Sequence, residues 1–503
     1  MGAAAAVRPR PAAHDGGSMV AMGPAQDTAG STAPGDRSTA APTADDRAAD
    51  APTTAAPTAD DRAADDRAEQ AHRAAAGLTA AGIDAVALAW VDNAGITRAK
   101  AVPVARLPHA VRHGVGASPC FDSFLLDDSM APGGGPVGDL RLVPDLDALT
   151  PLAAQPGWAW APVDRRTQAG GPHPGCQRLF ARRAEQALAA RGLEVLAGFE
   201  TEWTVEEQDT TREAADDTGA AYGMDRLVAR SDYLRAVLRA LTAQRLDVLQ
   251  IHPEYAPGQF EVTVAPDTPV RAADTALLVR QTVRAVSARH GLRASFAPVV
   301  AEGGVGNGCH LHLSLWQDGR NLGSGGPGRH GLTARAEAFL AGVLEALPAL
   351  LVLGAPSPAS RLRLVPGRWA GPYRCWGLEN REAALRLITG SAPEQANAEI
   401  KCFDAAANPY LAVGGVLAAG LAGLDAGLRL PEEVPGDPAL AHGVERLPHD
   451  QAAALAAYRA DGALRAAMGE ELYRAVLAVR TAETALFHGR DDREVIAATR
   501  RRY

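Results

Sequence analysis

Glutamate and histidine recur at alternate positions in four segments of this chain whose intervening residues are strongly apolar. In GFETEWTV, Glu200, Glu202 and Thr204 fall on one side of a strand, and Phe199, Trp203 and Val205 fall on the other. CHLHLSLW places His310, His312 and Ser314 opposite Leu311, Leu313 and Leu315, and AEIKCFD places Glu399 beside Lys401. In HPEYAPGQFEVTV, a Pro-Gly break lets Glu254 and Glu261 converge despite their odd spacing. A half-exposed antiparallel strand has the same pattern, but a wet face would favour Thr, Lys and Arg. If the face is interior, Glu200, Glu202, Glu254, Glu261 and Glu399 bring five carboxylates into one space. Unpaired buried carboxylates must protonate or find a cation.

Glutamate oxygens with one or two imidazoles suit Mg2+ or Mn2+ better than zinc, which favours thiolates and more histidines. Two such ions would leave about one negative charge uncompensated against the five glutamates. The arginines then have a separate task. Arg363, Arg381 and Arg386, in RLRLVPGRWAGPYRCWGLENREAALRL, can grip carboxylate or phosphate oxygens with two hydrogen bonds each. A carboxylate–metal cluster with arginines is suited to phosphoryl transfer. Since no GxxxxGK[ST] occurs, a nucleotide would be held by metal and arginine.

The elements that must position these groups follow from the rest of the chain. Its 503 residues provide for two to four domains and a sizeable core. A net charge of −9 without a concentrated basic patch argues against nucleic acid and for a small-molecule partner. Five scattered cysteines point to a reducing cytoplasm, and no secretory signal is read at the N-terminus. The uncharged run YLAVGGVLAAGLAGL is too short to span a bilayer and reads as a buried helix, so no membrane is expected. Residues 1–72 are mainly Ala, Pro, Thr, Asp and Arg with almost no large apolar side chain, have APTADDRAAD repeated at 41 and 56, and are expected to be a disordered extension. A small β domain is expected over 73–165, with a hairpin at DNAG. A linker in DRRTQAGGPHPG then leads into a catalytic domain over 166–503, in which strands and helices alternate. The fold class is α+β.

In order and spacing, GFETEW, PEYAPGQFEV, GNGCHLHLSL, RLRLVPG, WGLENREAALR, AEIKCFDAAANPYLA and the terminal Tyr503 resemble glutamine synthetase, from about residue 84 onward. The resemblance implies a β-grasp domain followed by the glutamine synthetase catalytic domain, in a ring-forming homo-oligomer such as a dodecamer. It implies Glu202, Glu254 and Glu261 on one metal ion, and Glu200, His310 and Glu399 on a second. His312 and Ser314 would meet the phosphates and base of ATP. Arg381 and Arg386 would stabilise the phosphoryl group in transfer and share the catalytic work with Glu254. Gly306, Arg363, Lys401 and Trp369 would line the substrate site. The implied reaction activates the γ-carboxylate of L-glutamate with ATP, and an amine then displaces phosphate.

The departures from the family bear on that amine. RLVPGRWAGP puts Trp369 where the family has a flap glutamate, Val299 and Asn397 replace basic residues, and Lys401 replaces an arginine. For the β-grasp aspartate of the ammonium site, GASPCFDSF offers Asp122. An alkylammonium is neutral at pH 7 in only about one molecule in several thousand, a cost of roughly 4–5 kcal/mol, so the site must bind and deprotonate it. An aromatic ring in place of the flap carboxylate fits a larger, organic amine held by cation–π contact and apolar packing. The competing expectations are an ordinary glutamine synthetase using ammonia and a catalytically silent scaffold. The retained paired charges count against the scaffold.

Overall fold

A computed structural model describes residues 59–209 and 219–503. The first sheet has six strands: β1 (Ala85–Val91), β2 (Thr97–Pro103), β3 (Val115–Ala117), β4 (Leu140–Pro144), β5 (Thr150–Pro151) and β6 (Trp158–Thr167). Their order is β2-β1-β6-β4-β3, with β5 paired to β6. The hairpin expected at DNAG joins β1 to β2, and the Asp92 carboxylate accepts from the backbone of Ala94 and Ile96 at 3.0 and 2.9 Å to shape its turn. β1 also runs parallel to β6.

A helix over Ala59–Ala80 crosses the boundary expected at residue 72. Residues 59–72, expected to be disordered, are therefore helical, and the remainder of that expected extension lies outside the described residues. Composition misled because this helix docks mainly through small side chains. Ala71 and Leu78 join the core formed by Val86, Leu88, Trp90 and Leu107, and alanine is the strongest helix former.

The second sheet has nine strands: β7 (Glu194–Glu207), β8 (Val248–Pro253), β9 (Gln259–Val264), β10 (Leu292–Ser295), β11 (Cys309–Gln317), β12 (Arg320–Asn321), β13 (Tyr373–Leu378), β14 (Ala383–Ile388) and β15 (Asn397–Ile400). The order is β13-β14-β15-β11-β7-β9-β8, with β10 on β7 and β12 on β11. Phe199, Trp203, Leu311 and Leu313 turn into a core shared with the helices Gln177–Ala189, Pro269–Arg289, Ala334–Gly354 and Pro409–Ala426. Two of these helices, Ala334–Gly354 and Pro409–Ala426, are long and apolar enough by composition to cross a membrane, but they lie 78% and 72% buried inside this core. The second contains the uncharged run read as a buried helix. Four helices from Gln451 to Thr499 complete the chain, and Tyr503 is buried against the first sheet, its hydroxyl 3.3 Å from the Ala94 carbonyl.

Candidate functional site

Strand register assembles the polar face. His310 on β11 lies opposite Glu200 on β7, and Glu202 on β7 lies opposite Glu261 on β9. His312 lies opposite Glu399 on β15, which in turn faces Arg386 on β14. The two-residue period of the strands therefore sends side chains from five of them to one side. They border a cavity of about 780 Å3 lined by Glu200, Glu202, Glu254, Glu261, Gly306, His310, Arg363, Trp369, Arg381, Arg386 and Lys401, among others. Glu399, His312 and Ser314, also singled out from sequence, do not line it. Glu399 is buried behind it, and the Ser314 hydroxyl accepts from Trp316 Nε1 at 2.8 Å.

The glycine-rich loop before β11 is small by necessity. A Cβ on Gly306 would fall 2.4 Å from the Pro298 carbonyl oxygen, and one on Gly308 would fall 2.5 Å from His310 Nε2. Gln259 Nε2 donates to Glu202 Oε2 at 3.1 Å and to the Gly306 carbonyl at 2.9 Å, while the Gly308 amide donates to Glu202 Oε2 at 2.9 Å. Glu202 is thus the strut between β7 and this loop.

One half of the polar face is charge-balanced. His310 Nδ1 lies 2.7 Å from Glu200 Oε2 and 3.1 Å from Glu399 Oε1, and Glu399 also pairs with Lys401 at 3.0 Å and Arg386 at 3.1 Å. Burial raises the pKa of Glu200 and Glu399. For Glu200, the hydrogen bond from His310 and the nearby imidazole of His312 outweigh it. For Glu399, the Lys401 charge and His310 do. Both carboxylates end well below their ordinary range.

The other half is electronegative. His252 Nε2 lies 3.1 Å from Glu261 Oε1 and its Nδ1 3.5 Å from Glu254 Oε1, and the Tyr222 hydroxyl donates to Glu254 Oε2 at 2.8 Å. Burial first, then the Glu200 and Glu202 charges, push Glu261 up to about 9, although the His252 hydrogen bond opposes this. Burial and Glu202 also raise Glu254, and the hydrogen bond with Glu261 brings His252 up to about 9. Acids and base move in the same direction, as uncompensated negative potential requires.

Two sets each bring three ligand atoms within 4.8 Å of one another: Glu200–His312–Glu399 and His252–Glu254–Glu261. The sets implied by the resemblance have His310 and Glu202 where the geometry gathers His312 and His252. Both nitrogens of His310 are engaged, since Arg363 Nη2 donates to its Nε2 at 2.9 Å. His312 Nδ1 bonds Asn397 Oδ1 at 3.0 Å, while its Nε2 is buried without a partner, 3.7 Å from Glu200 and 3.9 Å from Glu399. A hydrogen bond that fixes one ring nitrogen, with the other free beside two carboxylates, is the arrangement of a metal-binding imidazole. With carboxylate oxygens as the other donors, both sets fit a hard divalent cation such as Mg2+ or Mn2+.

Arg363 is buried, and its Nη1 is likewise unpartnered beside the cavity that the residue lines. Asp122 is elsewhere: it pairs with Arg165 at 2.6 Å and His173 at 3.1 Å and does not line the cavity. Sequence reasoning passed over His252, Tyr222 and Gln250, which do. Alternation along β8 carried a signal for His252, two residues before Glu254, whereas Tyr222 reaches Glu254 from an irregular segment and had none.

A largely antiparallel sheet, in which only β13 and β14 among the described strands of that sheet run parallel, presenting glutamates, imidazoles and arginines to one cavity, defines a ligase of the glutamine synthetase type. The glutamine synthetase catalytic domain family matches residues 174–496, and the chain belongs to that family. It is 55% identical over 442 residues to the gamma-glutamylpolyamine synthetase GlnA3 of Streptomyces coelicolor, covering 85% of this chain and 95% of that one. Among solved structures it is similar to a novel glutamine synthase homolog (TM-score 0.76, 35% identity, covering 84% of this chain and 99% of that one). It is also similar to a GmaS/ADP complex (TM-score 0.75, 28% identity, covering 83% and 96%).

Proposed function

We propose that this protein is an ATP-dependent ligase that joins L-glutamate to an organic amine of the polyamine class through a γ-glutamyl phosphate. The observation that carries this reading is the 55% identity, across 85% of the chain, to a gamma-glutamylpolyamine synthetase. A relative solved with ADP supports the nucleotide, and Trp369 at the cavity, in place of a flap carboxylate, supports an amine larger than ammonia.

In this reading Arg363 binds the glutamate carboxylate beside the Gly306 loop, with Lys401 behind it. A γ-carboxylate oxygen attacks the γ-phosphorus of ATP, and ADP leaves. Arg381 and Arg386 neutralise the charge on the phosphoryl oxygens, His312 faces the phosphates, and Ser314 lies further along β11 toward the base. Divalent ions held by the glutamates and imidazoles would shield phosphate charge and orient the carboxylate. The electronegative half, with Glu254 and its neighbours, attracts the cationic amine and accepts its proton. The amine nitrogen then attacks the acyl carbon and phosphate departs. Cavity walls including Trp369 exclude water, which would otherwise hydrolyse the acyl phosphate.

The same reading treats residues 73–165 as a β-grasp domain, supported by the hairpin β1–β2 beside the parallel strand β6, and 166–503 as the catalytic domain. It also includes a cytoplasmic, ring-forming homo-oligomer. Support for assembly comes from exposed Met224, Val228, Leu249 and Tyr255 on and around edge strand β8. Phosphate release with ATP, glutamate, Mg2+ and a panel of amines tests the function. Polyamines are expected to be the best substrates. Ammonia as the clearly best substrate would overturn the organic-amine reading, and no turnover with any amine would overturn the enzyme.

A further inference from the structure

Trp369 is an aromatic residue at φ +55°, in the left-handed region that bulky L residues rarely adopt, and it is 52% exposed. Such a conformation persists only where its surroundings impose it. Its amide N–H donates to Glu382 Oε1 at 2.7 Å, while the preceding Arg368 reaches the Gly303 carbonyl at 3.0 Å. Glu382 stands on a rigid turn: the amides of Glu382 and Ala383 donate to Asn380 Oδ1 at 3.1 and 3.3 Å, and Asn380 Nδ2 donates to the carbonyls of Val434 and Gly436, each at 2.8 Å. The other carboxylate oxygen of Glu382 is buried with no hydrogen-bond partner among the described residues. A carboxylate that spends one oxygen on a single backbone amide and leaves the other buried without a protein partner among the described residues is a costly way to hold a loop. It is accounted for if the position of that amide matters. Arg381, next in the chain, lines the same cavity as Trp369.

We propose that Glu382 is a positioning residue: it latches the Trp369 amide, fixes the ring at the cavity wall, and thereby sets the preference for a long organic amine over a small one. This rests on the amine-ligase reading above. The turn carrying Glu382 also carries Arg381, so the group assigned to the phosphoryl oxygens and the ring assigned to the amine hang from one rigid piece.

The test compares Glu382→Ala, Glu382→Gln and Trp369→Ala in the full chain, with putrescine or spermidine as the long amine and hydroxylamine as the small nucleophile. Glu382→Ala is expected to raise KM for the polyamine about tenfold while leaving KM for ATP and glutamate, and turnover with hydroxylamine, within about twofold. Glu382→Gln, whose side-chain carbonyl still accepts the amide, is expected to stay within about threefold of the parent. Trp369→Ala combined with Glu382→Ala is expected to add nothing beyond either alone, as two changes in one unit do. A second readout needs no turnover: trypsin cleavage after Arg368 is expected to quicken about tenfold in Glu382→Ala. Unchanged cleavage would overturn the latch, as would an unchanged polyamine KM or an equal loss with hydroxylamine. A parent protein that releases no phosphate with any amine would instead refute the ligase reading, and the cleavage comparison would still decide the latch.

Discussion

The two carboxylate clusters beside the cavity solve the problem of buried charge in opposite ways. Around Glu200 and Glu399 the protein supplies its own partners: the Lys401 and Arg386 cations and two imidazoles lie within 4 Å, and both carboxyl groups are held below their ordinary range. Around Glu254 and Glu261 the only cationisable partner among the described residues is His252, and every shift resolved there, Tyr222 included, is upward. The first cluster can fold and stay ionised alone. The second carries negative potential into the cavity, which protonation or a bound cation relieves. The difference teaches that charge in this site is apportioned: one end is prepared for the phosphate side of the reaction, and the other attracts metal and ammonium.

The strongest way to break the comparison is at Glu399. Glu399→Ala leaves Lys401 and Arg386 without their shared buried partner, which is expected to cost about 3–5 kcal/mol in denaturant unfolding and to lower phosphate release about a thousandfold. Unaltered stability would mean that the first cluster is not held by its charges.

Glu261→Gln is expected to act with the opposite sign on the fold. Removing one charge from the electronegative cluster should raise the melting temperature of ion-free protein by about 1–2 °C while turnover falls about a hundredfold. With Mg2+ at about 100 times its dissociation constant, the parent should gain about 2.7 kcal/mol and the variant distinctly less. A variant that loses stability without ions would place Glu261 in a balanced pair after all.

Acidity separates the clusters next. Glu200 and Glu399, held below the ordinary 4.5, stabilise the fold above that pH and lose the contribution as pH falls through their lowered values. Glu254 and Glu261, held above 4.5, cost stability as pH rises from there, for Glu261 up to about 9. His252 contributes fully below 6.5, and its contribution is gone once pH passes about 9. Melting of ion-free protein should therefore fall steadily from about pH 6 to about pH 9, and saturating Mg2+ should flatten the slope. The same slope with and without Mg2+ would disconnect the second cluster from ion binding.

The smallest effect is expected at Ser314. Ser314→Ala removes a hydroxyl bonded to Trp316 outside the cavity, so KM for ATP should rise only about threefold, with stability changed by less than about 1 kcal/mol. No change in KM would remove Ser314 from the nucleotide contacts.

Much of the site was legible because strand alternation is a local property. Glu200, Glu202, His310, His312 and Glu399 reveal their common side through Phe199, Trp203, Leu311, Leu313 and Ile400 opposite them. The buried helix Pro409–Ala426 was legible as an uncharged apolar run. His252 was not legible although β8 alternates, because its role rests on contacts with Glu254 and Glu261 that the turn between β8 and β9 creates. The helix Ala59–Ala80 was missed because alanines, not large apolar residues, form most of its contact. Tyr222 and Glu382 were beyond reach, since each matters through one hydrogen bond to a distant segment.

The sequence by itself determined which side chains face together, since a strand's two-residue period depends only on backbone sterics, and its ordered motifs determined the family. Only the tertiary structure decided how the charges are shared. Whether His310 or His312 keeps a free nitrogen depends on Arg363 and Asn397, which come from a different helix and a different strand. Whether a glutamate ends below or above its ordinary pKa depends on which cations lie within a few ångströms, a Coulombic balance set by the register of strands far apart in the chain.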